Sequence, residues 1–254
     1  MPSARRPPSA LTPATPVPGE AAGVVDEVGE GVTGAAAGDE VLGRTETGAG
    51  ASYALTRRFV PEPAALDRDT AAAPPVAAGT AAGVLDVLGL AAGETLLPHG
   101  AAGAVGSVAA QLAVARGATV IGTASPANHD YLRSLGVLPV ADGEGPADRV
   151  REVAPGGVGA VFDAAGAGDL PVSVEPRGGR DRVVTIADPA AAEHGIPFHD
   201  GGAHPSAALA EYARQAADGR LRVRVAGSLP LADVARAREL SGSGHAQGKI
   251  VLRP

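Results

Sequence analysis

The stretch TLLPHGAAGAVGSVAAQLAVARGATVIGTAS, residues 95–125, constrains this chain more than any other. An apolar, strand-like run at 95–99 leads into Gly100, Gly103 and Gly106, and a helix-like pattern follows at once. Val105, Val108, Ala109, Leu112 and Ala113 recur at the spacing of one helix face. Gly117 stands where a helix closes on a residue of positive φ. Each feature of the turn has a physical task. Gly103 lets the backbone approach an anion, Gly106 lets helix and strand pack closely, and the helix start offers free N–H groups. The spacing is G-x-x-G-x-x-G rather than the strict dinucleotide fingerprint. With strand, helix and a second strand, ATVIGT (118–123), all in place, it predicts a dinucleotide site. Pro98 is the one local conflict, because proline removes a ladder N–H from a strand.

The surrounding segments fit that reading. Strand-like and helix-like pieces alternate after 95: a helix near 126–135, VLPV (137–140), a helix near Asp148, GAVFDA (159–164), RVVTIA (182–187) and a helix near 206–217. This rhythm predicts an α/β, Rossmann-type, doubly wound parallel sheet. Upstream, AAGVVDEV (21–28), GDEVLG (38–43) and SYALTRRFV (52–60) sit between glycine-rich turns, as in a small barrel. Gly29, Gly31, Gly34 and Gly38 suit its tight corners. Thr70 is the expected N-cap of the next helical stretch, and 74–90 is apolar nearly all round, which suits a buried helix. At the end, LADVARAREL (231–240) reads as a helix and GKIVL (248–252) as a closing strand. Residues 1–18, with six prolines, read as an arm with little to pack.

Composition removes several function classes. There is no Cys, so disulfides and thiolate metal sites are excluded. A net charge of −7 argues against nucleic acid or an anionic membrane as the main partner. No apolar run reaches membrane-spanning length and the start has no apolar signal core, so the expected location is the cytoplasm. Only six residues are aromatic, so alanine and valine must build most of the core.

The end of the second strand bears on which dinucleotide binds. An NAD site places Asp or Glu there for the ribose hydroxyls. This chain has Thr123, Ala124 and Ser125, then Asn128, His129 and Arg133. Ser125 at a helix start, with His129 or Arg133 supplying charge, predicts a 2′-phosphate pocket and therefore NADPH. A simpler role, Ser125-Pro126 as N-cap and first helical residue with Arg133 solvated, is compatible with it.

The runs PGEAAGVVDEVGEGVTGAAAGDEVLGR, VAAGTAAGVLDVLGLAAGETLLPHGAAGAVGSVAAQLAVARGATVIGTAS, HDYLRSLGV and LSGSGHAQGKIVLRP together resemble the medium-chain dehydrogenase/reductase superfamily. They look most like its zinc-free, NADPH-dependent quinone oxidoreductase and enoyl reductase branch. The resemblance extends from about Pro18 to Pro254. It implies an incomplete GroES-like β-barrel substrate domain (19–73 and 219–254) interrupted by a Rossmann domain (74–218). It also implies Gly103, Ala104, Val105 and Gly106 at the pyrophosphate and Thr80 beside the nicotinamide. Ala165, Gly166, Ile186 and Ala187 would border the riboses, and Lys249 would stand in the late GK pair. Lys249 also reads as a solvent-facing residue entering an edge strand. Members of the family carry further substrate-domain strands before PGxEAAGVV, where this chain has its proline-rich arm; a late start and a real loss of those strands both account for it.

The implied chemistry is hydride transfer from NADPH to a quinone or α,β-unsaturated carbonyl, with no metal. Tyr53 is the candidate catalytic donor, with a half-buried barrel tyrosine as the plainer reading. His194, His199 and His204, near Asp200, are spaced by five residues, which suits a polar loop better than a metal face. Asp163 is expected to cap the loop after its strand. A Tyr-x-x-x-Lys dyad is absent, since Tyr53, Tyr131 and Tyr212 are followed four residues on by Arg57, Leu135 and Ala216. A Rossmann scaffold that has lost redox activity, as a cyclase-like enzyme or a nucleotide-binding partner subunit, is the other class open to such a chain. Open strand edges in a depleted barrel point to a homodimer.

Overall fold

A computed structural model describes residues 18–166, 170–201, 206–244 and 246–254. The proline arm up to residue 17 and His204 lie outside the described residues. Three strands open the fold: β1 (Pro18–Val24), β2 (Glu40–Gly48) and β3 (Thr56–Pro61), an antiparallel meander in the order β1-β2-β3. The first strand thus begins at Pro18, earlier than the 21–28 run suggested, and ends at Val24. Gly31, Gly34 and Gly38, all at positive φ, shape the connection to β2.

The meander has two unlike faces, as period-two alternation requires. Leu42 and Val60 are buried on one face, packed with Ala71 of α1 (Arg68–Ala72) and with Leu209 and Ala213 of α7 (Ser206–Ala217). On the other face Val41, Gly43 and Phe59 line an open groove of about 870 Å³, rimmed by Asp26, Glu27 and Glu30. Helix α1 starts one turn earlier than expected. Asp67, not Thr70, caps it, accepting from the backbone N–H of Asp69 and Thr70 and from the Thr70 hydroxyl at 2.6 Å. A carboxylate with three donors within reach wins over a hydroxyl inside the first turn.

Next come α2 (Pro74–Val87), β4 (Thr95–His99), α3 (Ala104–Ala115), β5 (Thr119–Ala124), α4 (His129–Ser134), β6 (Leu138–Ala141), α5 (Pro146–Val153), β7 (Ala160–Asp163), α6 (Leu170–Val174) and β8 (Val183–Thr185). Their strands form one parallel sheet, ordered β6-β5-β4-β7-β8. Pro98 sits in its central strand without conflict. Pairing of β4 with β5 stops at Leu96, while pairing with β7 runs on to His99, so the missing N–H falls where the first ladder has ended.

The core of this sheet is built from small residues. Ala77, Ala78, Ala81, Val84 and Leu85 of α2 pack with Val108, Ala109, Ala110 and Ala113 of α3 over Leu96, Val120 and Phe162. Leu221 and Val223, beyond α7, join the same cluster. Residues β9 (Val225–Pro230), α8 (Val234–Gly242) and β10 (Lys249–Arg253) complete the chain, with β9 and β10 paired in parallel. Neither α6 nor β9 was expected. Strand β9 carries Gly227, Ser228 and Pro230 and is half exposed, so only its pairing with β10 makes it a strand.

Two ion pairs anchor β10. Arg253 forks onto Asp69 of α1 at 2.8 and 2.6 Å, and these hydrogen bonds hold the Asp69 carboxyl below the ordinary carboxylate range. Lys249, at the start of the strand, pairs with Glu20 of β1. Among the described residues no helix is long and apolar enough to cross a membrane.

Candidate functional site

All five strands of the parallel sheet end at one edge, and the loops leaving them converge there. The glycine turn after β4 lies at the centre, where the strand order reverses between β4 and β7. Gly100 has φ +66, which an L side chain adopts only under strain. A β-carbon there would also meet Ala164 and Ala165 at 3.3 Å, so the turns after β4 and β7 abut. Gly103 is the N-cap of α3 and has no side chain to satisfy the helix's first N–H groups. Those of Ala104, Val105 and Gly106 therefore face outward at the positive end of the helix dipole.

Gly106 packs hardest. Its β-carbon would come 2.3 Å from the Gly100 carbonyl oxygen. Beneath the turn, Gly122 of β5 makes room for Ala101, whose methyl would lie 2.6 Å from a β-carbon at 122. The Ala101 N–H donates to Thr123 O at 2.9 Å, and buried His99 lies 3.1 Å from the Thr123 hydroxyl through its Nδ1. The roles of Gly122 and His99 went unnoticed in the sequence, where both read as ordinary strand residues.

Asp163, at the end of β7, caps its loop as expected. It is buried and accepts from the N–H of Ala165 (3.0 Å) and Gly166 (3.1 Å) and from the Thr185 hydroxyl (2.7 Å). Thr185 Oγ1 in turn accepts from the N–H of Ala187 at 3.0 Å. This polar chain locks the turns after β7 and β8 together. Gly166, φ +60, is held so close to the next turn that its β-carbon would lie 2.4 Å from Ala187 O. Ala165, Gly166, Ile186 and Ala187 are thus brought together beside the glycine turn.

The residues after β5 occupy the same edge. The Ser125 hydroxyl accepts from Asn128 Nδ2 at 3.0 Å, and His129 Nε2 lies 3.1 Å from Ala124 O. Arg133 is exposed and pairs with Asp130 at 2.7 Å. Thr80 is buried in α2, where its hydroxyl would lie 2.9 Å from a β-carbon on Gly201. Gly201 carries φ +88 and accepts from Arg44 Nη1 at 3.3 Å. The segment leading to it runs beside β8, with His199 N–H donating to Thr185 O at 2.8 Å. Arg44 and Gly201 had no signal in the sequence, because their meeting spans 157 residues.

Two expected positions, Tyr53 and Lys249, lie differently. Tyr53 is not in a strand; it precedes β3, is 75% exposed and lines the groove on the open face of the meander. Lys249 is only partly exposed, with its ammonium on Glu20. His194 ends a short turn of helix and His199 flanks β8, and no group of three or more described His, Asp or Glu residues could hold a metal ion.

This architecture, a parallel nucleotide-binding-type sheet joined to a partial antiparallel barrel, defines a class of oxidoreductase fold. The chain has the fold of the medium-chain dehydrogenase/reductase superfamily and is similar to its members in sequence. Residues 135–252 match the sequence family described as zinc-binding dehydrogenase. The spectinabilin polyketide synthase system protein NorB of Streptomyces orinoci is 48% identical over 121 residues, 47% of this chain and 6% of that protein. The trans-enoyl reductase himH of Aspergillus japonicus is 34% identical over 196 residues, 63% of this chain and 57% of its own length. The chain therefore spans little more than half of the latter and a small part of the former. The crystal structure of Escherichia coli quinone oxidoreductase complexed with NADPH superposes with a TM-score of 0.80 at 28% identity, covering 92% of this chain and 81% of that one.

Proposed function

We propose that this chain binds NADPH along the edge where the strands of the parallel sheet end, and reduces a quinone or α,β-unsaturated carbonyl by hydride transfer without a metal ion. The observation that carries the reading is the glycine cradle. Gly103 and Gly106 bring the backbone of the turn and the open end of α3 together in space that a β-carbon would fill. That arrangement fits a pyrophosphate, which needs N–H donors and close backbone approach rather than side chains. The likeness to himH and to the NADPH complex of the Escherichia coli enzyme supports it.

In this reading Gly103, Ala104, Val105 and Gly106 hold the pyrophosphate. Ser125 and His129 take the 2′-phosphate, and Arg133 joins them by exchanging Asp130 for the stronger anion. The small residues Ala165, Gly166, Ile186 and Ala187 border the riboses, and Thr80 stands beside the nicotinamide. Bound NADPH supplies the hydride, and a solvent proton completes reduction of the C=C bond. The protein's share is alignment and exclusion of water. Tyr53, whose side chain is exposed on the groove of the meander, is the proposed catalytic donor.

Zinc fits poorly, for the chain has no cysteine and the described residues gather no alternative ligand set. Residues 19–73 with 219–254 would form the substrate side and 74–218 the nucleotide side. Among the described residues both edges of the meander are unpaired, which favours a homodimer, and we place the protein in the cytoplasm.

Titration of the purified chain with NADPH and NADH, read by nicotinamide fluorescence, tests the cofactor. Micromolar NADPH binding, at least tenfold tighter than NADH, is expected, and equal or absent binding overturns the assignment. Turnover of NADPH across a panel of enones and quinones tests the reaction, and no turnover with any of them refutes it.

A further inference from the structure

Helix α2 begins in an unusual way. Its N-cap, Ala73, has no side-chain acceptor, and its first two residues, Pro74 and Pro75, have no N–H. Val76 is therefore the first residue of the helix with a donor to satisfy. A residue 56 positions away satisfies it: Glu20 Oε2 of β1 accepts the Val76 N–H at 2.7 Å. The other carboxylate oxygen, Oε1, receives Lys249, the only lysine in the chain, from the start of β10. One partly buried carboxylate thus joins the antiparallel meander, the first turn of α2 and the closing strand. Its charge also sits at the positive end of the helix dipole.

Thr80 lies one turn beyond Val76, on the same helix face and bonded back to that residue's carbonyl by regular helix geometry. Its hydroxyl packs against Gly201. We infer that Glu20 and Lys249 act as a positioning pair that fixes the first turn of α2, and through it the placement of Thr80 in the proposed nicotinamide site. Lys249 then acts through Glu20 rather than by touching cofactor. The functional half of this inference rests on the reading above; the structural half does not.

The test uses the full chain and four variants, Glu20→Ala, Glu20→Gln, Lys249→Met and the Glu20→Ala/Lys249→Met double. Amide hydrogen exchange of the cofactor-free protein is followed at residues 76–82, with 104–115 of α3 as an internal reference. Glu20→Ala should speed exchange in the α2 segment about tenfold while α3 stays as it was. Glu20→Gln keeps an acceptor for Val76 and should show a smaller effect, as should Lys249→Met. Combining Lys249→Met with Glu20→Ala should add nothing to Glu20→Ala alone, because the pair acts as one unit. Unchanged exchange in α2, or an equal rise in α2 and α3, overturns the inference.

In turnover, Glu20→Ala should lower kcat about tenfold with NADPH affinity within twofold, and a 4-deuterated NADPH should give a larger isotope effect than with wild type. A fall in NADPH affinity with kcat unchanged would return Lys249 and Glu20 to a role in binding. If the wild-type chain turns over no NADPH, the proposed function fails, while the exchange measurement still decides the clamp.

Discussion

A β-carbon on Gly106 would lie 2.3 Å from the carbonyl oxygen of Gly100. Helix α3 can therefore seat against the end of β4 only because residue 106 has no side chain. Gly106→Ala should force the helix away from the turn, at a cost of about 2 kcal/mol, the scale of core overpacking. For a chain of this size that is a fall in Tm of roughly 4–8 °C. Gly103 differs, with φ −71 and a β-carbon contact of 3.2 Å. Gly103→Ala should fold with a loss under about 1 kcal/mol, yet weaken NADPH about tenfold or more, because its methyl stands in the mouth of the proposed anion site. Thermal melts paired with fluorescence titration separate the two effects.

Asp163 satisfies three donors from a buried position. Asp163→Ala would strand the Thr185 hydroxyl and two loop N–H groups, at about 3 kcal/mol. Asp163→Asn, which keeps a carbonyl acceptor, should cost less. Both should loosen the Gly166–Ala187 contact and lower cofactor affinity together with Tm. Intact affinity in Asp163→Ala would show that the turns after β7 and β8 take no part in binding.

Arg182 is the one described non-glycine residue at positive φ, and its guanidinium explains why the conformation persists. It forks onto Glu94 at 2.6 Å through both nitrogens and donates to Leu88 O and Gly89 O at the end of α2. The Arg182 hydrogen bonds, with the Ala91 N–H, lower the Glu94 carboxyl from 4.5 to about 2. A carboxylate whose folded value is depressed stabilises the fold above its unfolded value, and that contribution disappears as pH falls. The loss should run from about pH 4.5 down to about pH 2. Glu94→Gln should be less stable than wild type at neutral pH, and the difference should shrink through that window in denaturant titrations. A constant difference would rule out the Arg182–Glu94 pair as its source.

Ser125 offers its hydroxyl at the start of a helical turn, 3.0 Å from Asn128 Nδ2. Ser125→Asp places a negative charge where the 2′-phosphate of NADPH is proposed to sit. Binding of NADPH should fall at least tenfold while NADH binding holds or improves, inverting the preference. Equal loss of both cofactors would mean that the variant damages the turn and that Ser125 does not discriminate between them.

The glycine turn, helix α3 with its Gly117 closure, strand β4 at 95–99 and helix α7 at 206–217 were all legible in the sequence. Each is a local matter. Apolar periodicity, a residue that allows positive φ and a strand–turn–helix order specify these elements without reference to distant parts of the chain. The parallel sheet followed from the alternation of such units. Tertiary structure alone decided what depends on residues far apart. Strand β9 exists because β10 pairs with it, Tyr53 is exposed because it lies beyond the strand on the open face, and Arg44 reaches Gly201 across 157 residues. Glu20 reads in sequence as one acidic residue beside a proline and a glycine. Its carboxylate becomes the cap of α2 and the partner of Lys249 only when β1, α2 and β10 are packed together, since no local pattern encodes a bond made between segments 56 and 229 residues apart.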